Sequence, residues 1–95
     1  MEPRKPERGV EVAILRFFAS TRAVVGADRR PSADFGLPEQ VDTSILRRTL
    51  VEAYPEARNL FMTCTFLADA ERIGDRLIST KDVDTIDVLP PFAGG

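Results

Sequence analysis

Val10 to Phe18 restricts the fold more than any other segment, because it is apolar on both of its alternating faces. Ala13, Leu15 and Phe17 share one face; Val12, Ile14 and Phe18 share the other, with Arg16 among them. The run is too short and too rich in β-branched residues for a helix, so it reads as a strand whose successive side chains point to opposite sides. A sheet with one solvated face needs only one apolar side per strand. The second apolar side is a surplus that the rest of the chain has to explain.

The remaining segments supply the partners for that strand. Residues 1–9 form a polar, proline-bearing leader, expected to be disordered. Ala19 to Val25 suits a short helical turn closed by Gly26, and Ala27 to Gln40 reads as a long loop, a tolerated insertion. Asp42 is positioned to cap a helix, with Val41 stapled onto Leu46. Ile45, Leu46, Thr49, Leu50 and Ala53 recur at helical spacing up to Tyr54-Pro55, which leaves Arg47, Arg48 and Glu52 on a solvated face.

Leu60 to Ala68 alternates, which predicts a half-buried strand with Cys64 pointing into the core. Asp69 to Asp75 reads as a turn, Arg76 to Ser79 as a short edge strand, and Thr85 to Leu89 as a last strand with Ile86 and Val88 inward. The sum is an α+β domain over 10–89, a mixed sheet with one main helix packed across one face. Residues 90–95 follow it as a tail.

Composition excludes several classes of function. At 95 residues the chain makes one domain with a single core, and 43% hydrophobic residues are enough to fold it. Thirteen basic against 15 acidic residues give a net charge of -2, too little positive field for nucleic acid to be an expected partner. Glu11, Arg16 and Arg22 interrupt the longest apolar stretch, so no membrane span is expected, and the leader lacks the apolar core of a signal peptide. With a single cysteine and no internal disulfide to form, the expected location is the cytoplasm.

Catalytic equipment is sparse. The chain has no histidine, the commonest participant in acid–base catalysis, nucleophilic triads and zinc sites. Cys64 reads as a small core residue rather than a nucleophile. Asp82, Asp84 and Asp87 lack the glycine and terminal glutamate of a calcium loop, and read as turn and solvent-face carboxylates. Arg29-Arg30 and Arg47-Arg48 read as solvated pairs.

The chemistry is instead expected at the tail, Leu89-Pro90-Pro91-Phe92-Ala93-Gly94-Gly95. Two glycines without Cβ atoms form a strand thin enough to thread a narrow channel, and as the carboxyl end they offer a carboxylate as the reacting group. Pro90 and Pro91 restrict the backbone and stiffen the departing arm.

This tail resembles the hydrophobic, Pro-Pro, x, Ala, Gly-Gly ending of the small subunits of molybdopterin synthase, ubiquitin-like sulfur carriers of the MoaD/ThiS type. Phe17-Phe18-Ala19 followed by Arg22 is similar to that family's Phe-Phe-Ala-x-x-Arg element, Ile45 to Pro55 to its helix, and Asp84-Thr85-Ile86 to the start of its last strand. The chain departs from the family at its turns. Ala68-Asp69-Ala70 stands where an Asn-Gly turn is usual, Asp82-Val83-Asp84 replaces Asp-Gly-Asp, and the 27–40 loop is longer.

The resemblance implies a ubiquitin-like β-grasp fold and a carrier that is not catalytic alone. It implies that a ubiquitin-activating-type adenylyltransferase uses ATP to adenylate Gly95, next to Gly94. A persulfide donor then converts Gly95 to a thiocarboxylate, and the synthase large subunit receives the tail. The carrier itself would bind no cofactor or metal. Phe18, Ile14, Leu89 and Arg22 would dock partners together with Pro90, Pro91, Phe92 and Ala93, which gives the surplus apolar side a use. Carriers for thiamine or cysteine synthesis, a lysine-linked modifier, and an interaction module with an unactivated tail are the alternatives.

Overall fold

A computed structural model describes residues 12–91; Val10, the 1–9 leader and the terminal Phe92, Ala93, Gly94 and Gly95 lie outside the described residues. The elements follow in the order β1 (Ile14–Phe17), α1 (Ser20–Val25), β2 (Arg29–Pro31), β3 (Gln40–Val41), α2 (Thr43–Ala53), α3 (Arg58–Met62), β4 (Thr65–Ala68), β5 (Glu71–Arg72), β6 (Ile78–Ser79) and β7 (Thr85–Leu89). Five strands make one sheet in the order β2-β1-β7-β4-β5, and β3 pairs with β6 as a separate ribbon. β1 and β7 run parallel and the other pairings of the main sheet are antiparallel. The mixed sheet and the main helix are those of a ubiquitin-like β-grasp, as expected.

One side of the sheet and one side of α2 close the core. Leu15 and Phe17 of β1, Ile86 and Val88 of β7 and Phe66 of β4 are buried with Leu46 and Leu50 of α2. Each such side chain contributes roughly 1.5–3 kcal/mol by leaving water. α2 starts as expected: the Asp42 carboxylate accepts the Ile45 N–H at 2.9 Å, an N-cap of about 1 kcal/mol. α1 ends where the left-handed Gly26 lets its N–H reach the Arg22 carbonyl.

Residues 27–40 are not a plain loop. Arg29–Pro31 forms the outermost strand β2 against β1, and Ser32–Phe35 makes a 3-10 turn behind it. Proline lacks the N–H a central strand needs, but an edge position leaves one side of the backbone unpaired, so Pro31 is tolerated here. Phe35 then meets Phe17 edge-on at 6.1 Å and Tyr54 at 6.4 Å, and Tyr54 continues to Phe61 at 5.9 Å. This aromatic chain ties β1 to the far end of α2.

Leu60 to Met62 is helix, not strand: α3 follows a 3-10 turn at Pro55–Ala57, and β4 begins at Thr65. Phe61 is fully buried, on the side that strand alternation assigned away from the core. Ala57, Leu60 and Phe61 and then Cys64 are spaced three or four apart, the signal that competed with the alternation. Arg47 leaves the solvated face to which its position assigned it. Its Nε donates to the Phe61 carbonyl at 3.2 Å and its Nη2 to the Cys64 carbonyl at 2.8 Å, satisfying acceptors at the end of α3. The edge strand expected at 76–79 is reduced to β6, which joins β3 in the ribbon instead of extending the main sheet.

The turn at Asp69-Ala70 carries one departure from a glycine-bearing sequence. Asp69 and Ala70 join β4 to β5 with φ of 48° and 72°, the two positive values a type I′ hairpin turn requires. Asp69 adapts well, because its carboxylate also accepts the N–H groups of Asp84 at 3.0 Å and Thr85 at 3.1 Å, fastening the entry of β7. Ala70 has no such compensation, and a left-handed conformation costs an L residue about 1–2 kcal/mol. Ala70→Gly should stabilise the fold by about 0.5–1 kcal/mol in urea unfolding, since glycine's greater freedom in the unfolded chain offsets part of the relief.

Cys64 is in the core, as expected. Burial pushes its thiol from 9.0 up to about 11, against a smaller opposing pull from Arg47. A thiol more reluctant to ionise when folded stabilises fully below the unfolded value, and that contribution is lost as pH rises through the folded value. Stability of the native chain relative to Cys64→Ala should therefore fall between pH 9 and about 11, measured by urea unfolding of both proteins across that range.

Candidate functional site: the outer sheet face at the root of the tail

β7 lies in the middle of the sheet between β1 and β4, so the chain's last strand leaves from the centre of the fold. The register Arg16↔Asp87 and Phe17↔Val88 with β1, and Thr65↔Leu89 and Leu67↔Asp87 with β4, decides which residues share a face. Val88 and Ile86 point to the core, so Asp87 and Leu89 belong to the outer face with Ile14, Arg16 and Leu67. This is the second apolar side of β1. The helices leave it uncovered.

Phe17 and Phe18 divide the work of their motif. Phe17 is buried, whereas Phe18 at the end of β1 is 36% exposed, one of three large hydrophobic residues exposed among the described residues. Its backbone is held firmly. The Thr21 hydroxyl oxygen accepts the Phe18 N–H at 2.9 Å, and its hydrogen is shared between the carbonyls of Phe18 at 2.8 Å and Val88 at 3.3 Å. Thr21 is completely buried. It ties the end of β1 both to α1 and to the end of β7, a role that its isolated position between Ser20 and Arg22 did not reveal. Ala19 turns the chain at φ 52°, outside the usual range of an L residue, to make this closure.

Ile14 shares the outer face with Phe18, but Arg16 stands between them on β1. Leu89 is half-buried next to the end of β1, Pro90 is buried and Pro91 is exposed. Arg22 stays in solvent: its one carboxylate contact among the described residues is Asp28 at 3.4 Å, with side chains 57% and 72% exposed. A pair so exposed contributes little and leaves the guanidinium available to a partner.

At the centre of the face lies an ion pair that sequence reasoning missed. Arg16 Nε and Nη2 donate to the two carboxylate oxygens of Asp87 at 2.6 and 2.9 Å. Asp87 was expected as a solvent-face carboxylate, yet its side chain is only 9% exposed, against 37% for Arg16. Parallel pairing of β1 with β7 sets these residues side by side, 71 positions apart in sequence, a proximity no local pattern encodes. The fork raises the Arg16 pKa, first through the hydrogen bond to Asp87 and then through its charge. Arg16 also lies 5.6 Å from the centre of the Phe18 ring, so the pair supports the exposed aromatic from one side.

Among the described residues no group of three His, Cys, Asp or Glu side chains could hold a metal ion, and no helix is long and apolar enough to cross a membrane. A cavity of about 300 Å³ lies at the start of β4, bordered by Arg47, Met62, Cys64, Phe66 and Arg72. Its cysteine is the protonated core thiol described above.

No protein-family model matches the chain. A molybdopterin synthase sulfur carrier subunit of Chlamydomonas reinhardtii is 28% identical over 87 residues, covering 90% of this chain and 100% of that protein. SAMP1 from Haloferax volcanii superimposes with a TM-score of 0.58 at 19% identity, covering 87% of this chain and 98% of the other. The Haloferax volcanii HVO 2177 protein does so with a TM-score of 0.59 at 22% identity, covering 90% and 89%. These matches agree with the resemblance carried by the Phe17-Phe18-Ala19 element and the Pro-Pro tail: the chain is a ubiquitin-like β-grasp protein with a molybdopterin synthase sulfur carrier subunit as a sequence relative.

Proposed function

We propose that this protein is a sulfur carrier in molybdopterin synthesis, loaded at Gly95 and docked through the outer face of its sheet. The observation that carries the reading is the match to a carrier subunit along that protein's whole length, in a sequence that holds the Pro90-Pro91 and Gly94-Gly95 pairs. A central β7 supports it, because a tail rooted beside Phe18 and Leu89 can be gripped by the same partner that grips the face.

The chemistry follows from the carboxylate. A carboxylate is a poor acyl donor, so an adenylyltransferase of the ubiquitin-activating type joins it to AMP from ATP and releases pyrophosphate. The terminal sulfur of a persulfide then attacks the acyl carbon and expels AMP. A second thiol cleaves the resulting acyl disulfide, leaving a thiocarboxylate on Gly95 and a disulfide on the donor. That thiocarboxylate is the nucleophile that delivers sulfur in the synthase large subunit. The carrier provides the reacting group and the docking surface, its partners provide catalysis, and the reading places it in the cytoplasm.

Incubation with ATP, a persulfide source and the host adenylyltransferase should raise the intact mass by about 16 Da, one carboxyl oxygen replaced by sulfur. Loss of Gly95, or a residue added after it, should abolish the gain. No gain with an adenylyltransferase competent on its own carrier would overturn the reading, and an isopeptide-linked conjugate in its place would make the chain a modifier. Phe18→Asp should weaken binding of the synthase large subunit by about 2 kcal/mol or more in calorimetry with the fold intact, as for an interface anchor.

A further inference from the structure

The outer face carries more charge than an apolar docking patch needs, and the charge is aligned. The register runs Arg29↔Arg16 between β2 and β1, Arg16↔Asp87 between β1 and β7, Asp87↔Leu67 between β7 and β4, and Leu67↔Arg72 between β4 and β5. Paired residues of neighbouring strands share a face, so one row crosses all five strands as Arg29, Arg16, Asp87, Leu67 and Arg72. Three arginines meet one aspartate. Asp87 is already bound by two donors of Arg16, while Arg29 and Arg72 are exposed and make no carboxylate contact among the described residues. Arg72 stands at the β5 edge, where it also borders the cavity beneath β4. Ile14 and Pro31 lie on one side of the row, with Phe18 and Leu89 on the other.

We propose that this row is a cationic stripe that docks an acidic segment of the synthase large subunit, and that it selects the partner by charge while Phe18 and Leu89 supply apolar contact. The proposal rests on the carrier reading and adds the chemistry of the partner surface. Arg16 keeps N–H groups that Asp87 does not use, and burying them in a wholly apolar socket would leave donors unpaired. A socket bearing carboxylates opposite Arg29, Arg16 and Arg72 satisfies them and neutralises the surplus charge. On a chain whose net charge is -2, so local a concentration of cations also steers an acidic partner to this face and not to the rest of the surface.

The test measures binding of the native chain, Arg29→Gln/Arg72→Gln, Arg29→Lys/Arg72→Lys and Phe18→Asp to the synthase large subunit of the same host, at about 0.05 and 0.5 M salt. Both arginines are exposed on edge strands, so the glutamine variant should keep the native melting temperature. It should bind roughly tenfold more weakly at low salt, chiefly through a slower association rate, and approach native affinity at high salt, where surface charges are screened. The lysine variant should recover most of the rate.

Equal affinity of native and glutamine chains at both salts, with Phe18→Asp impaired, would remove the stripe and leave the carrier reading standing. If Phe18→Asp also binds normally, the docking face itself is wrong. A 20-base-pair DNA duplex serves as a second probe: duplex binding by the native chain that the glutamine variant loses would overturn the proposal by assigning the stripe to phosphates.

Discussion

The parallel pairing of β1 with β7 is the constraint from which the remaining structure follows. Parallel neighbours cannot be joined by a tight turn, so the chain between them has to travel across the sheet and return. It does so with α2 lying over Leu15, Phe17, Ile86 and Val88, which seals one side of the central strands. The same pairing places Arg16 against Asp87 and brings Thr21 within reach of the Val88 carbonyl. Core, ion pair and the uncovered outer face are three consequences of one register.

That register also separates the buried side of the sheet from its uncovered side. Alternation sends every second residue of β1 and β7 inward, where helices cover them, and every other one outward, where they do not. Phe17 and Phe18 illustrate the division, adjacent in sequence yet one buried and the other 36% exposed. A carrier read in this way needs no cavity or cofactor of its own. Its requirements are a firm surface beside a reactive end, and Thr21 together with the Arg16 fork provides that firmness.

The turns show how a fold tolerates substitutions at positions that favour glycine. Asp69 accepts a left-handed backbone because its carboxylate ties down two N–H groups at the start of β7, whereas Ala70 takes the same kind of conformation with nothing in return. The cost is small beside the cross-sheet contacts that the turn allows. A register enforced by a buried face outweighs a local backbone preference.

Much of this architecture is written locally. The Asp42 cap, the spacing of Leu46 and Leu50, the apolar faces of the first and last strands and the buried Cys64 are short-range patterns that survive into the fold. So does the surplus apolar side of β1. What the sequence misstates lies where two local patterns compete or where distant contacts decide. Leu60 and Phe61 satisfy both strand alternation and helical spacing, and packing against α2 and Tyr54 selects the helix. Arg29 and Pro31 look like loop residues because an edge strand needs no apolar pattern, only a free neighbour in β1.

The site divides in the same way. The Gly94-Gly95 pair and the Pro90-Pro91 pair are legible in the sequence by itself, because the backbone freedom of glycine and the restriction of proline follow from their own covalent structure. The Arg16–Asp87 pair and the five-strand arginine row exist only once strands far apart in the chain lie side by side. Register is a relation between segments, and tertiary structure alone decides it.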